Sequence, residues 1–178
     1  MGILWFHRNW QSAWVDARGR LAREMSMAAE LTLHLERVLR APRPLVFRMH
    51  AEPDLLAQWW GPKGFSAPSI ELDVRVGGGY RIAMQPPEGD RFFLLGEFRE
   101  VNPVTRLVYT FRWEPPDPDD RETVVAFSLR DLGGSTALTV DQGPFATEGR
   151  RALHEDGWTD SLDRLEELIT SRDWFERD

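Results

Sequence analysis

Apolar positions along the chain follow two periods, and each change of period marks a change of element. Over residues 30–39, Leu31, Leu33 and Leu35 alternate with Thr32, His34 and Glu36, the period of a half-buried strand. Pro42 and Pro44 break that pattern, and Pro44 suits the first turn of a short helix carrying Val46, Phe47 and Met49. Pro53 opens a second one, with Leu55, Leu56, Trp59 and Trp60 on its apolar side. Alternation returns over residues 69–76, placing Ile70, Leu72, Val74 and Val76 on one face and Glu71, Asp73 and Arg75 on the other. After Gly77-Gly78-Gly79, Tyr80, Ile82 and Met84 continue the apolar face until Pro86-Pro87-Glu88-Gly89-Asp90 turns the chain again. Four more strands are expected at residues 92–101, 107–113, 123–130 and 136–142. Over residues 152–170 the spacing becomes helical, with Trp158, Leu162, Leu165 and Ile169 at i, i+4, i+7 and i+11.

Six of these strands are joined by turns without helical crossovers, so they should pair antiparallel as a meander. The predicted order is strand, two short helices, six strands, long helix. This is an α+β architecture in which a curved sheet of about seven strands grips the C-terminal helix, leaving room for a pocket between them. One domain over residues 28–171 is expected, with residues 1–27 as an extension outside the core fold and residues 172–178 as a tail. In the extension Arg8, Arg18, Arg20 and Arg23 outnumber Asp16 and Glu24. Those two acids interrupt any targeting helix, and Met25 or Met27 is a natural beginning for the domain.

Composition narrows the function classes. The absence of cysteine removes disulfides, thiolate chemistry and cysteine-based zinc sites. A formal charge of −7 with no Lys/Arg cluster argues against nucleic-acid binding. No apolar run reaches the length of a membrane span and no secretory core follows a basic start, so a cytoplasmic location is expected.

The motifs that tempt a catalytic reading have simpler ones. Gly77-Gly78-Gly79 leads into a strand, whereas a phosphate loop leads into a helix, so its role is geometric. The acid-rich segment from Glu114 to Glu122, with Asp117, Asp119 and Asp120, is broken by prolines and lacks calcium-loop spacing, so a solvated connection is expected. His7, His34, His50 and His154 show no metal-ligand spacing, and neither a metal nor a cofactor is implied. No serine sits in a nucleophile-elbow context. His154 lies near the start of the last helix, where its ring can reach a pocket mouth as acid, base or hydrogen-bond partner. Glu97, and with it Asp141, is an acid-base candidate only if its strand turns it inward. Parity leaves the inward face of residues 92–101 open, because both faces carry large apolar groups. Aromatic residues fall on predicted inward faces, and Trp60, Tyr109, Phe111, Trp113 and Trp158 are the candidate ligand-binding wall, with Tyr109 and Trp158 as its polar handles.

Several segments together carry a resemblance: Arg37-Val38-Leu39-Arg40-Ala41-Pro42 leading into Val46-Phe47, then Trp59-Trp60-Gly61-Pro62-Lys63-Gly64-Phe65. Asp73-Val74-Arg75-Val76-Gly77-Gly78, Gly96-Glu97-Phe98-Arg99-Glu100-Val101 and Gly157-Trp158 with its spaced leucines complete it. From about Leu31 to Ile169 the chain resembles the START-like helix-grip (SRPBCC) superfamily, in the branch named after the C-terminal domain of the heat-shock-protein ATPase activator. The resemblance implies a container fold whose members differ in use. Three functions follow as alternatives: binding of a small hydrophobic or aromatic ligand, interaction with a chaperone or with a second copy of the chain, and a cyclase- or lyase-like reaction using His154 or Glu97.

Overall fold

The computed structural model describes residues 30–171; the expected extension and tail lie outside them. Strand β1 (Leu33–Leu39) is followed by helix α1 (Arg43–Ala51) and the single turn α2 (Pro53–Leu56). Six strands follow: β2 (Ser66–Leu72), β3 (Gly79–Gln85), β4 (Phe92–Asn102), β5 (Arg106–Glu114), β6 (Thr123–Asp131) and β7 (Thr136–Gly143). The long helix α3 (Glu148–Ser171) closes the fold. All seven strands form one antiparallel sheet in the order β1-β7-β6-β5-β4-β3-β2. The meander and the element order are therefore as the periodicity predicts.

The inward parity of each strand builds the core. Leu33 and Leu39 on β1, Val125, Phe127 and Leu129 on β6, and Leu138 and Val140 on β7 are buried together with Trp158, Leu162, Leu165 and Ile169 of α3. Burying each of these large side chains contributes about 1.5–3 kcal/mol, so the apolar stripe of α3 is the main anchor of helix to sheet. Helix α1 contributes Val46, Met49 and His50 from beneath, and the His50 ring stacks on Phe127 with centroids 4.1 Å apart. Trp59 is wholly buried, and its indole N–H donates to the Met49 carbonyl at 2.9 Å.

Two strands differ from expectation. Strand β2 starts three residues early and stops at Leu72, because the chain folds back on itself at Asp73: Arg75 N–H donates to the Asp73 carbonyl, and Gly78 N–H to that of Arg75. The alternation continues through this loop without a strand beneath it, and Val76 is 63% exposed. A Cβ on Gly78 would lie 2.0 Å from the Asp73 carbonyl oxygen, which explains the glycine. In β4, Phe98 pairs with Tyr109 and Glu100 with Val108, so Arg99 is an extra residue in a β-bulge. The bulge resolves the ambiguous parity of this strand. Leu94 and Phe98 point inward before it and Val101 joins the core after it, while Phe93 lies on the outer face beneath the Arg81 guanidinium.

Candidate functional site

At the C-terminal end of β5 the sheet and the first turns of α3 separate, enclosing a cavity of about 360 Å³. Phe111 and Trp113 of β5, Met84 of β3 and Phe92 of β4 form the sheet wall. Trp60 and Phe65, on the loop after α2, form one side, and Leu153, His154, Gly157 and Trp158 of α3 form the roof. The rings meet edge to face: Trp60 and Trp158 at 5.2 Å, Phe111 and Trp113 at 5.0 Å, Phe92 and Trp113 at 5.2 Å. This is the preferred packing of aromatic quadrupoles, and it gives the cavity firm walls.

The loop 61–65 is held against α3 by Arg164. Its guanidinium donates to the carbonyls of Gly61 at 2.8 Å and Trp60 at 3.0 Å, and Asp160 accepts the Lys63 backbone N–H at 3.2 Å. At the mouth, Arg150 bridges to Asp117 and Asp119 of the β5–β6 connection at 2.5 and 2.7 Å. These ion pairs hold the Asp119 carboxyl below its ordinary pKa, and the acid-rich connection is thereby tied over the opening. Arg150 is in position because α3 begins one turn earlier than its apolar spacing indicates, with Thr147 Oγ1 accepting the Arg150 N–H at 3.1 Å.

A buried polar chain runs behind the aromatic wall. Gln142, at an inward position of β7, accepts the Trp158 indole N–H on Oε1 at 2.8 Å and donates from Nε2 to Thr123 Oγ1 at 2.8 Å. The same Nε2 lies 3.1 Å from His154 Nδ1, and Trp113 Nε1 lies 3.3 Å from His154 Nε2. Burial, reinforced by the nearby Arg150 charge, lowers the His154 pKa to about 4, so the ring is neutral at physiological pH.

Of the residues expected to form the wall, Trp60, Phe111, Trp113 and Trp158 come together around the cavity, joined by the acid-base candidate His154. Tyr109 does not. It points inward from β5 but lies deeper, beside His50, at a separate void of about 10 Å³ that Trp60 divides from the main cavity. Its hydroxyl has no protein partner among the described residues, and burial raises its pKa well above the ordinary value. Glu97 borders a shallow groove on the outer face of the sheet with Arg99, Arg112 and Glu122, and pairs with Arg99 at 3.3 Å. Asp141 also faces out and binds His34 Nδ1 at 2.6 Å. Neither carboxylate reaches the cavity, because each sits one residue off the inward parity of its strand. Among the described residues no group of three or more His, Cys, Asp or Glu side chains gathers to hold a metal ion.

A seven-stranded antiparallel sheet curled around a long C-terminal helix, with an aromatic cavity at one end, defines a helix-grip domain of the START-like class. Residues 40–170 match the family model described as activator of Hsp90 ATPase homolog 1-like protein, and the chain belongs to that family. Solved structures agree. A protein from Nitrosomonas europaea is 34% identical with a TM-score of 0.68, over 82% of this chain and 97% of that one. A protein from Chromobacterium violaceum is 30% identical with a TM-score of 0.71, over 78% and 96%. The AHSA1 protein from Silicibacter pomeroyi is 30% identical with a TM-score of 0.68, over 79% and 99%. No curated protein matches the chain. Among the described residues, no helix is long and apolar enough to cross a membrane.

Proposed function

We propose that the protein binds a small apolar or aromatic molecule in the cavity between sheet and helix. The observation that carries this reading is the cavity itself. Its volume of about 360 Å³ is lined by Trp60, Phe65, Met84, Phe92, Phe111, Trp113 and Trp158, and mostly apolar pockets of roughly 300–1,000 Å³ are the usual seats of small ligands. Such walls stabilise a bound ring by area removed from water, about 25 cal/mol per Å². The polar groups at the cavity supply orientation more than strength. A neutral His154 beside the Gln142 and Trp113 N–H groups is suited to hydrogen bonding. Of the two candidate acid-base residues only His154 borders the cavity, Glu97 lying on the outer face, so a cyclase- or lyase-like reaction would rest on His154 alone, whereas the aromatic wall as a whole supports binding. Isothermal titration with naphthalene-based ligands should give saturable, one-to-one binding that is lost in Gly157→Trp, where the new side chain occupies the cavity. Absence of saturable heat for every such ligand, with the wild-type protein folded, overturns the reading.

A further inference from the structure

Two buried polar atoms on facing elements of the core have no partner among the described residues: the Tyr109 hydroxyl on β5 and His50 Nδ1 on α1. Nearly all buried polar groups in native proteins are hydrogen-bonded, because leaving one unpaired is costly. The rings of His50 and Tyr109 lie 5.6 Å apart, centre to centre, and the two atoms do not bond each other directly. Both residues line the void of about 10 Å³ behind Trp60. The rest of its wall is apolar, with Leu56, Leu72, Ile82 and Phe98. Tyr80 also borders it, but donates its hydroxyl proton to the Thr110 carbonyl at 2.7 Å.

Size and charge narrow the occupant. A void of this volume admits one water and nothing larger. Burial lowers the His50 pKa to about 3 and raises that of Tyr109, so both groups are neutral at physiological pH. An ion placed there would lose its hydration without an opposite charge beside it. A neutral imidazole presents either a lone pair or an N–H at Nδ1, according to its tautomer, and a phenol hydroxyl both donates and accepts. Water can donate two bonds and accept two, so it satisfies both groups in either tautomer. We propose that one internal water is bound in this void and bridges the Tyr109 hydroxyl to His50 Nδ1. It joins the sheet to α1 by a polar link within an otherwise apolar layer, as buried waters do when they bond roughly two to four groups that would be unpaired. The site is separate from the larger cavity and does not depend on the binding role proposed above.

A crystal structure of the wild-type chain that shows ordered water should place one oxygen within about 3.2 Å of both Tyr109 Oη and His50 Nδ1. In solution, ¹⁷O relaxation dispersion counts long-lived internal waters, and Tyr109→Phe should hold one fewer than the wild type. That substitution removes one of the two partners and keeps the ring. Equal counts in the two proteins overturn the inference. So does a crystal structure in which the void is dry, in which a water touches only one of the two atoms, or in which Tyr109 bonds His50 directly. If Tyr109→Phe does not fold, the wild-type crystal structure decides alone.

Discussion

The indole N–H of Trp158 donates to Oε1 of Gln142 at 2.8 Å, joining an inward ring of the long helix to an inward amide of the last strand. That bond sets the direction of every hydrogen bond behind the cavity, since the opposite end of the amide serves Thr123 and His154. Gln142→Leu should destabilise the fold by about 2–3 kcal/mol, because it leaves the Trp158 N–H buried and unpaired. The double variant with Trp158→Phe should lose clearly less than the sum of the two single losses. Urea unfolding of the four proteins in the cycle measures both quantities.

His50 and His154 make stability depend on pH in a defined direction. Burial lowers the His50 pKa to about 3, and burial with the Arg150 charge lowers that of His154 to about 4, whereas an unfolded histidine titrates near 6.5. Below about pH 6.5 the unfolded chain takes up protons that the folded chain refuses. Stability therefore falls as pH drops from about 6.5 toward 4, by up to about 1.4 kcal/mol per pH unit for each ring. His50→Phe keeps the stack on Phe127 and removes one titration. Its loss of stability between pH 7 and pH 5 should be about 2 kcal/mol smaller than that of the wild type, as read from denaturant midpoints.

Arg164 should prove structural in a way its sequence position does not show. Arg164→Met keeps the aliphatic stem but leaves the carbonyls of Trp60 and Gly61 without their charged donor. A loss of about 1.5–3 kcal/mol is expected. Hydrogen exchange should quicken over residues 61–65 before it quickens in β6 or β7, since the loop is what the guanidinium holds.

Two glycines should respond to alanine with opposite sign. At Gly96 a Cβ would fall 1.9 Å from the Thr110 carbonyl oxygen and 2.5 Å from Tyr80 Cε1, so Gly96→Ala should cost more than about 3 kcal/mol or prevent folding. At Gly157, inside α3, the nearest atom to an added Cβ is Pro62 Cγ at 3.9 Å. There the alanine meets ordinary contact and gains helix propensity, so Gly157→Ala should stabilise by up to about 1 kcal/mol. Thermal unfolding of the two variants separates the cases.

Periodicity revealed the order of elements because each strand buries one face, and the stripe from Trp158 to Ile169 revealed the helix that covers them. It misjudged β2, where alternation runs on into a loop that turns back through its own hydrogen bonds. It left β4 undecided, since a single extra residue at Arg99 reverses the parity on which the method depends. The wall of the cavity was largely legible as inward aromatics, but its depth was not. Tyr109 shares the parity of Phe111 and Trp113, and only the packing of Trp60 separates it from them. Gln142 carried a readable signal, a polar side chain in register with Leu138 and Val140. His50 carried none beyond its place on a short amphipathic helix, and Arg150 could not be placed until the extra helical turn was known.

The pairing of β1 with β7 closes the fold between distant parts of the chain. Thr136 Oγ1 donates to the Ala41 carbonyl across 95 positions, and His34 reaches Asp141 across 107. On a ribosome the opening strand must wait for nearly the whole domain to be synthesised before its partner exists. Until α3 has also emerged, the inner side of the meander has nothing to cover it. Such long-range closure slows folding and prolongs the exposure of apolar surface, so this protein should refold in milliseconds to seconds and benefit from chaperone shelter while it is being made.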